Sequence, residues 1–167
     1  MNAFYFASSC GRFVNQADLK ATTICIQGFD HLLNQGTILG TDHYNLSFTR
    51  EFINKGFIQG DQGNIISEDG VMINRGEIHQ ATIAIKSLQN KTTGLIKKAN
   101  VTVSTGWNEG IIKADDFTVN DALGFYNKGD ISLLCRDCLE WVIFTTALFL
   151  ILFEKIKCPV LSLFIVF

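Results

Sequence analysis

The pentapeptide Asn-x-Gly-x-Ile occurs five times in this chain at a nearly constant step, and that recurrence restricts the fold more than any other feature. The copies are Asn34-Gln35-Gly36-Thr37-Ile38, Asn54-Lys55-Gly56-Phe57-Ile58, Asn74-Arg75-Gly76-Glu77-Ile78, Asn108-Glu109-Gly110-Ile111-Ile112 and Asn127-Lys128-Gly129-Asp130-Ile131. Two degenerate copies, Asn15-Gln16-Ala17-Asp18-Leu19 and Thr92-Thr93-Gly94-Leu95-Ile96, fill the phase. The starts then step by 19, 20, 20, 18, 16 and 19 residues. At ordinary residue frequencies such a match arises roughly once in a few thousand positions. Five in one short chain are a repeat.

Each copy carries a second element several residues later, a short apolar alternation. In order these are Ile24-Cys25-Ile26, Leu46-Ser47-Phe48, Ile83-Ala84-Ile85, Val101-Thr102-Val103 and Phe117-Thr118-Val119. In the Asn54 copy the run is slipped, around Ile65-Ile66 with Val71 and Ile73 following. A period of two with β-branched and aromatic residues is the mark of a half-buried strand. Each copy therefore reads as strand, turn, strand, turn. One such unit cannot bury its apolar face alone and must stack on its neighbours.

Parallel stacking gives a mainly β fold, a parallel β-helix or solenoid of about six to seven coils, with coils about 4.8 Å apart and a rod roughly 30–35 Å long. Repeated residues then become ladders. Ile38, Ile58, Ile78, Ile96, Ile112 and Ile131 stack as one inward row. The asparagines sit at a corner, where stacked amides bond from coil to coil. Gly36, Gly56, Gly76, Gly94, Gly110 and Gly129 answer either a positive φ or close backbone approach at that corner. The residue between Asn and Gly is never large and apolar, as a solvent-facing slot requires. The competing arrangement makes each Asn-x-Gly an independent hairpin turn of an antiparallel sandwich.

The expected organisation is a lead-in or partial coil over 1–14, the solenoid over 15–134, and an apolar tail over 135–167. Phe4 and Phe6 alternate with Tyr5 and Ala7 like the inner face of a further strand. Residues 1–10 contain no Lys or Arg and no long apolar core, so no signal peptide is expected there. In the tail, Trp141 to Phe153 is an uncharged run of 13 residues, short for a spanning helix. Three readings of the tail compete: a membrane anchor, a cap on the end of the rod, and a segment unrelated to the repeat. A helix from about 139 to 156 fits each.

Composition narrows the functions. Net charge is −2 and Lys and Arg are scattered, so no basic stripe supports nucleic-acid binding. The five cysteines, Cys10, Cys25, Cys135, Cys138 and Cys158, do not describe a disulfide framework. Cys135-x-x-Cys138 lacks the second ligand pair a zinc site needs. Gly60-Asp61-Gln62-Gly63-Asn64 is the best candidate for an inserted loop, and it and Asp115-Asp116 read as solvated turns. No cofactor or metal site is expected. His31, His43 and His79 fall at different phases, and the third residue after each Asn varies from Thr37 through Phe57, Glu77, Leu95 and Ile111 to Asp130. Paired acid/base chemistry has no evident home in that pattern.

The five full motifs and their alternating strands, over about residues 15–134, resemble the haemagglutinin repeats of filamentous haemagglutinin-like exoproteins. That family includes bacterial two-partner-secreted adhesins and the stalks of contact-dependent growth-inhibition toxins. The resemblance implies a right-handed parallel β-helix, export to the cell surface through an outer-membrane transporter, and a non-catalytic role as a rigid spacer or adhesive fibre. The partner it implies is a host or neighbouring-cell surface, protein or glycan. The rival reading is a carbohydrate-active enzyme on the same architecture; a small membrane-anchored solenoid, through the tail, is compatible with the first.

Overall fold

The computed structural model describes residues 2–121 and 124–133. In chain order the strands are β1 (Ala3–Ala7), β2 (Arg12–Asn15), β3 (Asp18–Asn34), β4 (Thr37–Asn54) and β5 (Phe57–Asn74). They continue as β6 (Glu77–Asn90), β7 (Leu95–Asn108), β8 (Ile111–Val119), β9 (Phe125–Asn127) and β10 (Asp130–Leu133). Every pairing is parallel and joins one coil to the next: β1 and β2 on β3, then β3 through β8 in order, with β9 on β7 and β10 on β8. The chain is a β-solenoid of about seven turns. No antiparallel pair occurs among the described residues, and the hairpin sandwich is excluded.

The long strands are bent. In β4 the buried/exposed alternation breaks at Thr41–Asp42, again at Thr49–Arg50, and a third time at Lys55 beyond the strand's end. Each coil therefore has three corners, not the two turns expected from the sequence. The missed face is the short run before each Asn: Leu32, Phe52, Met72 and Leu88 point inward, with Leu33, Ile53, Ile73 and Gln89 outward. Two apolar residues are too short a run to show a period, so only the fixed offset to Asn marks it.

The slipped Asn54 copy also resolves. Ile65 is the inner residue, stacked between Leu46 and Ile83, while Ile66 is 42% exposed. Of the residues following it, Met72 is the core side chain, and Val71 and Ile73 face outward. The expected row Ile38, Ile58, Ile78, Ile96, Ile112 and Ile131 is buried, and consecutive members are paired in register. Deleting any one of these to Ala removes buried methylenes from a close-packed interior, at about 2–5 kcal/mol.

Core volume is balanced between coils, not within them. Tyr44 is wholly buried, and its ring fills the room left by Gly60 and Gly63 one coil on. A Cβ on Gly63 would lie 2.2 Å from Tyr44 Cζ. Phe48 uses Gly70 in the same way, a Cβ there meeting its ring at 2.5 Å. The Gly60–Asn64 stretch, expected as an inserted loop, is thus the second corner of β5: exposed at Asp61 and Gln62, but tied into the core by both glycines. It does hold extra residues, since Gln59 to Gly63 spans the same corner as His79 to Ala81.

No helix among the described residues is long and apolar enough to cross a membrane. The expected tail helix over 139–156, the anchor reading and Cys135-x-x-Cys138 lie outside the described residues.

Candidate functional site

Two polar ladders run the length of the solenoid on different corners, and they are built from similar side chains. The first is the Asn-x-Gly corner. Asn34, Asn54 and Asn74 are 0–1% exposed, and each Nδ2 donates to the Oδ1 of the next rung. The complete series is Asn15, Asn34, Asn54, Asn74, Asn90, Asn108 and Asn127, with N···O distances of 2.7–2.9 Å. All six bonds point the same way along the axis. The second amide hydrogen of most rungs reaches a backbone carbonyl, such as Asn54 Nδ2 to Gly56 O and Glu77 O, both at 3.3 Å. These bonds offset the cost of taking the amides out of water, and bonds in one direction polarise one another.

One rung of this ladder differs from the sequence reading. The Thr92-Thr93-Gly94-Leu95-Ile96 copy keeps its glycine and isoleucine in place, but its asparagine is Asn90, which bonds Asn74 and Asn108. A four-residue turn closed by Gly94 N to Lys91 O lengthens this corner by two residues. Measured from Asn to Asn, the steps are 19, 20, 20, 16, 18 and 19. The signal was the offset to the inner apolar residue, Leu88-Gln89-Asn90 matching Met72-Ile73-Asn74. Counting back from glycine hid it.

The glycines of this corner serve close approach, not a left-handed φ: none of them has a positive φ, which among the described glycines is found at Gly11 and Gly28. A Cβ on Gly56 would sit 2.0 Å from the carbonyl oxygen of Gly36, and one on Gly76 would sit 2.1 Å from that of Gly56. Gly36, Gly110 and Gly129 are hemmed in by backbone in the same way, at 2.1–2.4 Å, while a Cβ on Gly94 would meet Asn90 Oδ1 at 2.1 Å and the Asn74 carbonyl oxygen at 2.7 Å. Outside this corner Gln35, Lys55, Arg75, Thr93 and Lys128 are exposed and Glu109 is half-buried. Lys55, Arg75 and Glu77 flank a shallow groove of about 420 Å³ floored by the glycines.

The second ladder lies on the outer side of the second corner. Register places Asn64, Thr82 and Asn100 on successive coils, with Asn45 and Cys25 before them and Asp116 after. Gln62, Gln80, Lys98 and Asp115 line, with Asn64, Thr82 and Asn100, an open groove of about 450 Å³. That volume is within the range of small-ligand clefts, about 300–1,000 Å³. Among the described residues none of Asn64, Thr82, Asn100, Gln62, Gln80, Lys98 or Asp115 makes a side-chain hydrogen bond or ion pair. Gln80 and Lys98 turn the corner with φ of 54° and 52°, a conformation side-chain-bearing residues seldom adopt. Up the row, burial pushes the Cys25 thiol above its ordinary pKa.

The remaining candidate groups stay apart. His31 faces Glu51 at 3.9 Å, His43 faces Asp42 at 3.5 Å, and His79 lies 3.2 Å from Glu77 and edge-on to Phe57. These occupy three different faces of the coil. Among the described residues no group of three or more His, Cys, Asp or Glu side chains is placed to hold a metal ion. Asp115 and Asp116 are both exposed at the second corner.

Fold and ladders together define a β-solenoid repeat protein. No family model matches the chain, and neither a curated protein nor a solved structure matches it.

Proposed function

We propose that the chain is a non-catalytic structural and adhesive segment of a surface-exposed or secreted filamentous haemagglutinin-like protein. The observation that carries this reading is the continuous seven-rung asparagine corner, which makes a rigid rod with long repetitive sides. Such a rod holds a partner by lateral area. The resemblance of its Asn-x-Gly-x-Ile motif to haemagglutinin repeats supplies the rest: export through an outer-membrane transporter and contact with a host or neighbouring-cell surface.

The two carboxylates that line the second groove stand too far apart to act together on one glycosidic bond. Asp61 and Asp115 line the second groove from β5 and β8, three coils apart. At about 4.8 Å per coil their backbones stand roughly 14 Å apart, beyond the span two carboxylates use across a glycosidic bond.

Beads coated with the purified chain test the proposal against cells. Adhesion that saturates and is competed by soluble protein supports it. Adhesion no greater than that of beads coated with an unrelated protein overturns it, and so does steady release of reducing sugar from cell-surface polysaccharide by the soluble chain.

A further inference from the structure

The groove at the second corner has features of a site for one class of ligand. Its side chains are amides and a hydroxyl, each able to donate and accept, which is the complement of a sugar's hydroxyl groups. None is used internally, although the same residue type is bonded from coil to coil on the asparagine corner. Its charges nearly cancel, with Lys98 against Asp61 and Asp115. A polyanion would therefore gain little from it. Protein partners anchor on buried aromatic or Arg side chains, and no such side chain lines this groove.

Spacing adds direction. Asn64, Thr82 and Asn100 repeat once per coil, about 4.8 Å apart. That step is close to the length one pyranose ring adds to an extended chain, so successive rings meet equivalent side chains. The left-handed Gln80 and Lys98 line the same groove. Strain of this kind collects at functional positions, and glycine would adopt the same conformation without it.

We infer that this groove binds a neutral, linear glycan laid parallel to the solenoid axis, with Asn64, Thr82 and Asn100 bonding successive sugar units. The inference rests on the adhesive reading above and names the ligand class and place.

Fluorescently labelled β-1,4-linked hexasaccharides of glucose, mannose and xylose, titrated into the full chain and read by polarisation, test it. At least one binds saturably. Combining Asn64→Ala, Thr82→Ala and Asn100→Ala weakens that binding at least tenfold, while Lys55→Ala with Arg75→Ala in the other groove changes it less than twofold. Circular dichroism and the urea midpoint establish that both variants are folded. Should the triple variant fail to fold, Thr82→Val, which keeps shape and loses the hydroxyl, still lowers affinity severalfold. The inference is overturned if no neutral hexasaccharide binds, if the triple variant or Thr82→Val binds undiminished, or if only a sulfated hexasaccharide binds and Lys55→Ala with Arg75→Ala abolishes it. Chromatography of the recovered sugar separates the two readings. Intact sugar supports both, cleaved sugar lost with the triple variant supports the groove and overturns the non-catalytic role, and absence of binding overturns the groove alone.

Discussion

Asn74 and Asn64 stand ten residues apart on the same strand, carry the same amide and recur with neighbours of like chemistry, yet the protein uses them in opposite ways. Asn74 is 0% exposed and bonded to Asn54 and Asn90 at 2.9 Å on each side. Asn64 is half-buried on the outer side of the second corner, and its side-chain amide bonds no described residue. Burial decides the difference. An amide removed from water must find partners in the protein, and stacking identical amides supplies them at every rung. An amide left in water keeps its capacity for a ligand.

The comparison is broken most directly by Asn74→Leu. This change leaves one hydrogen of Asn54 Nδ2 and the Asn90 Oδ1 acceptor without their partner inside the rod. At about 1–3 kcal/mol for each stranded group, urea unfolding should show a loss of about 4 kcal/mol. A loss below 1 kcal/mol would mean that the corner is held by its backbone bonds alone, and the two asparagines would no longer differ.

Gly56→Ala tests the same corner through sterics. Its Cβ would lie 2.0 Å from the Gly36 carbonyl, and that atom belongs to backbone already bonded to Phe57 N. No rotamer relieves the clash, so the coils must part, at about 3 kcal/mol. Gly63→Ala beneath the groove meets a side chain instead, Tyr44 at 2.2 Å. We expect about 2 kcal/mol, largely recovered when Tyr44→Leu is added. A double-mutant cycle with no coupling would show that the ring is not what occupies that space.

These contrasts explain what the sequence made legible. The inner isoleucine row and the asparagine corner repeat because burial imposes the same residue on every coil, so period and architecture could be read from the chain alone. The Asn90 rung escaped because Lys91–Gly94 lengthens its corner while Gly94 holds the glycine position. The third face escaped because one inward residue, such as Met72 or Leu88, has no period. The outer row was invisible for a different reason. Asn64, Thr82 and Asn100 share chemistry without identity, and only the register between coils aligns them.

Asn64→Ala is the small counterpart of Asn74→Leu. With no internal partner to lose, its effect on stability should fall within about 0.5 kcal/mol in the same urea assay. A cost above 1 kcal/mol would place the outer row among the structural elements and sharpen the comparison against the groove.

Tyr44→Phe carries the smallest effect at neutral pH and joins the two regions. The Tyr44 hydroxyl lies under Gly63 among buried atoms with no hydrogen-bond partner, so it has the burial of Asn74 without its satisfaction. Replacing it by hydrogen removes a desolvated polar group and should leave stability unchanged or raise it by up to about 1 kcal/mol. The pH dependence is larger. Burial pushes the phenol's pKa above its ordinary value of 10.0, because the folded interior disfavours the phenolate. The unfolded chain ionises first. Above pH 10 it therefore binds fewer protons than the native state, and stability falls as pH rises toward the folded pKa, by on the order of 1 kcal/mol per pH unit. That contribution is fully present below pH 10 and is absent from Tyr44→Phe. Urea midpoints measured from pH 8 to 11 should diverge between wild type and Tyr44→Phe only at the alkaline end. Parallel curves would show that the hydroxyl reaches water or a partner in solution, and that the core beneath the groove is looser than the asparagine corner opposite.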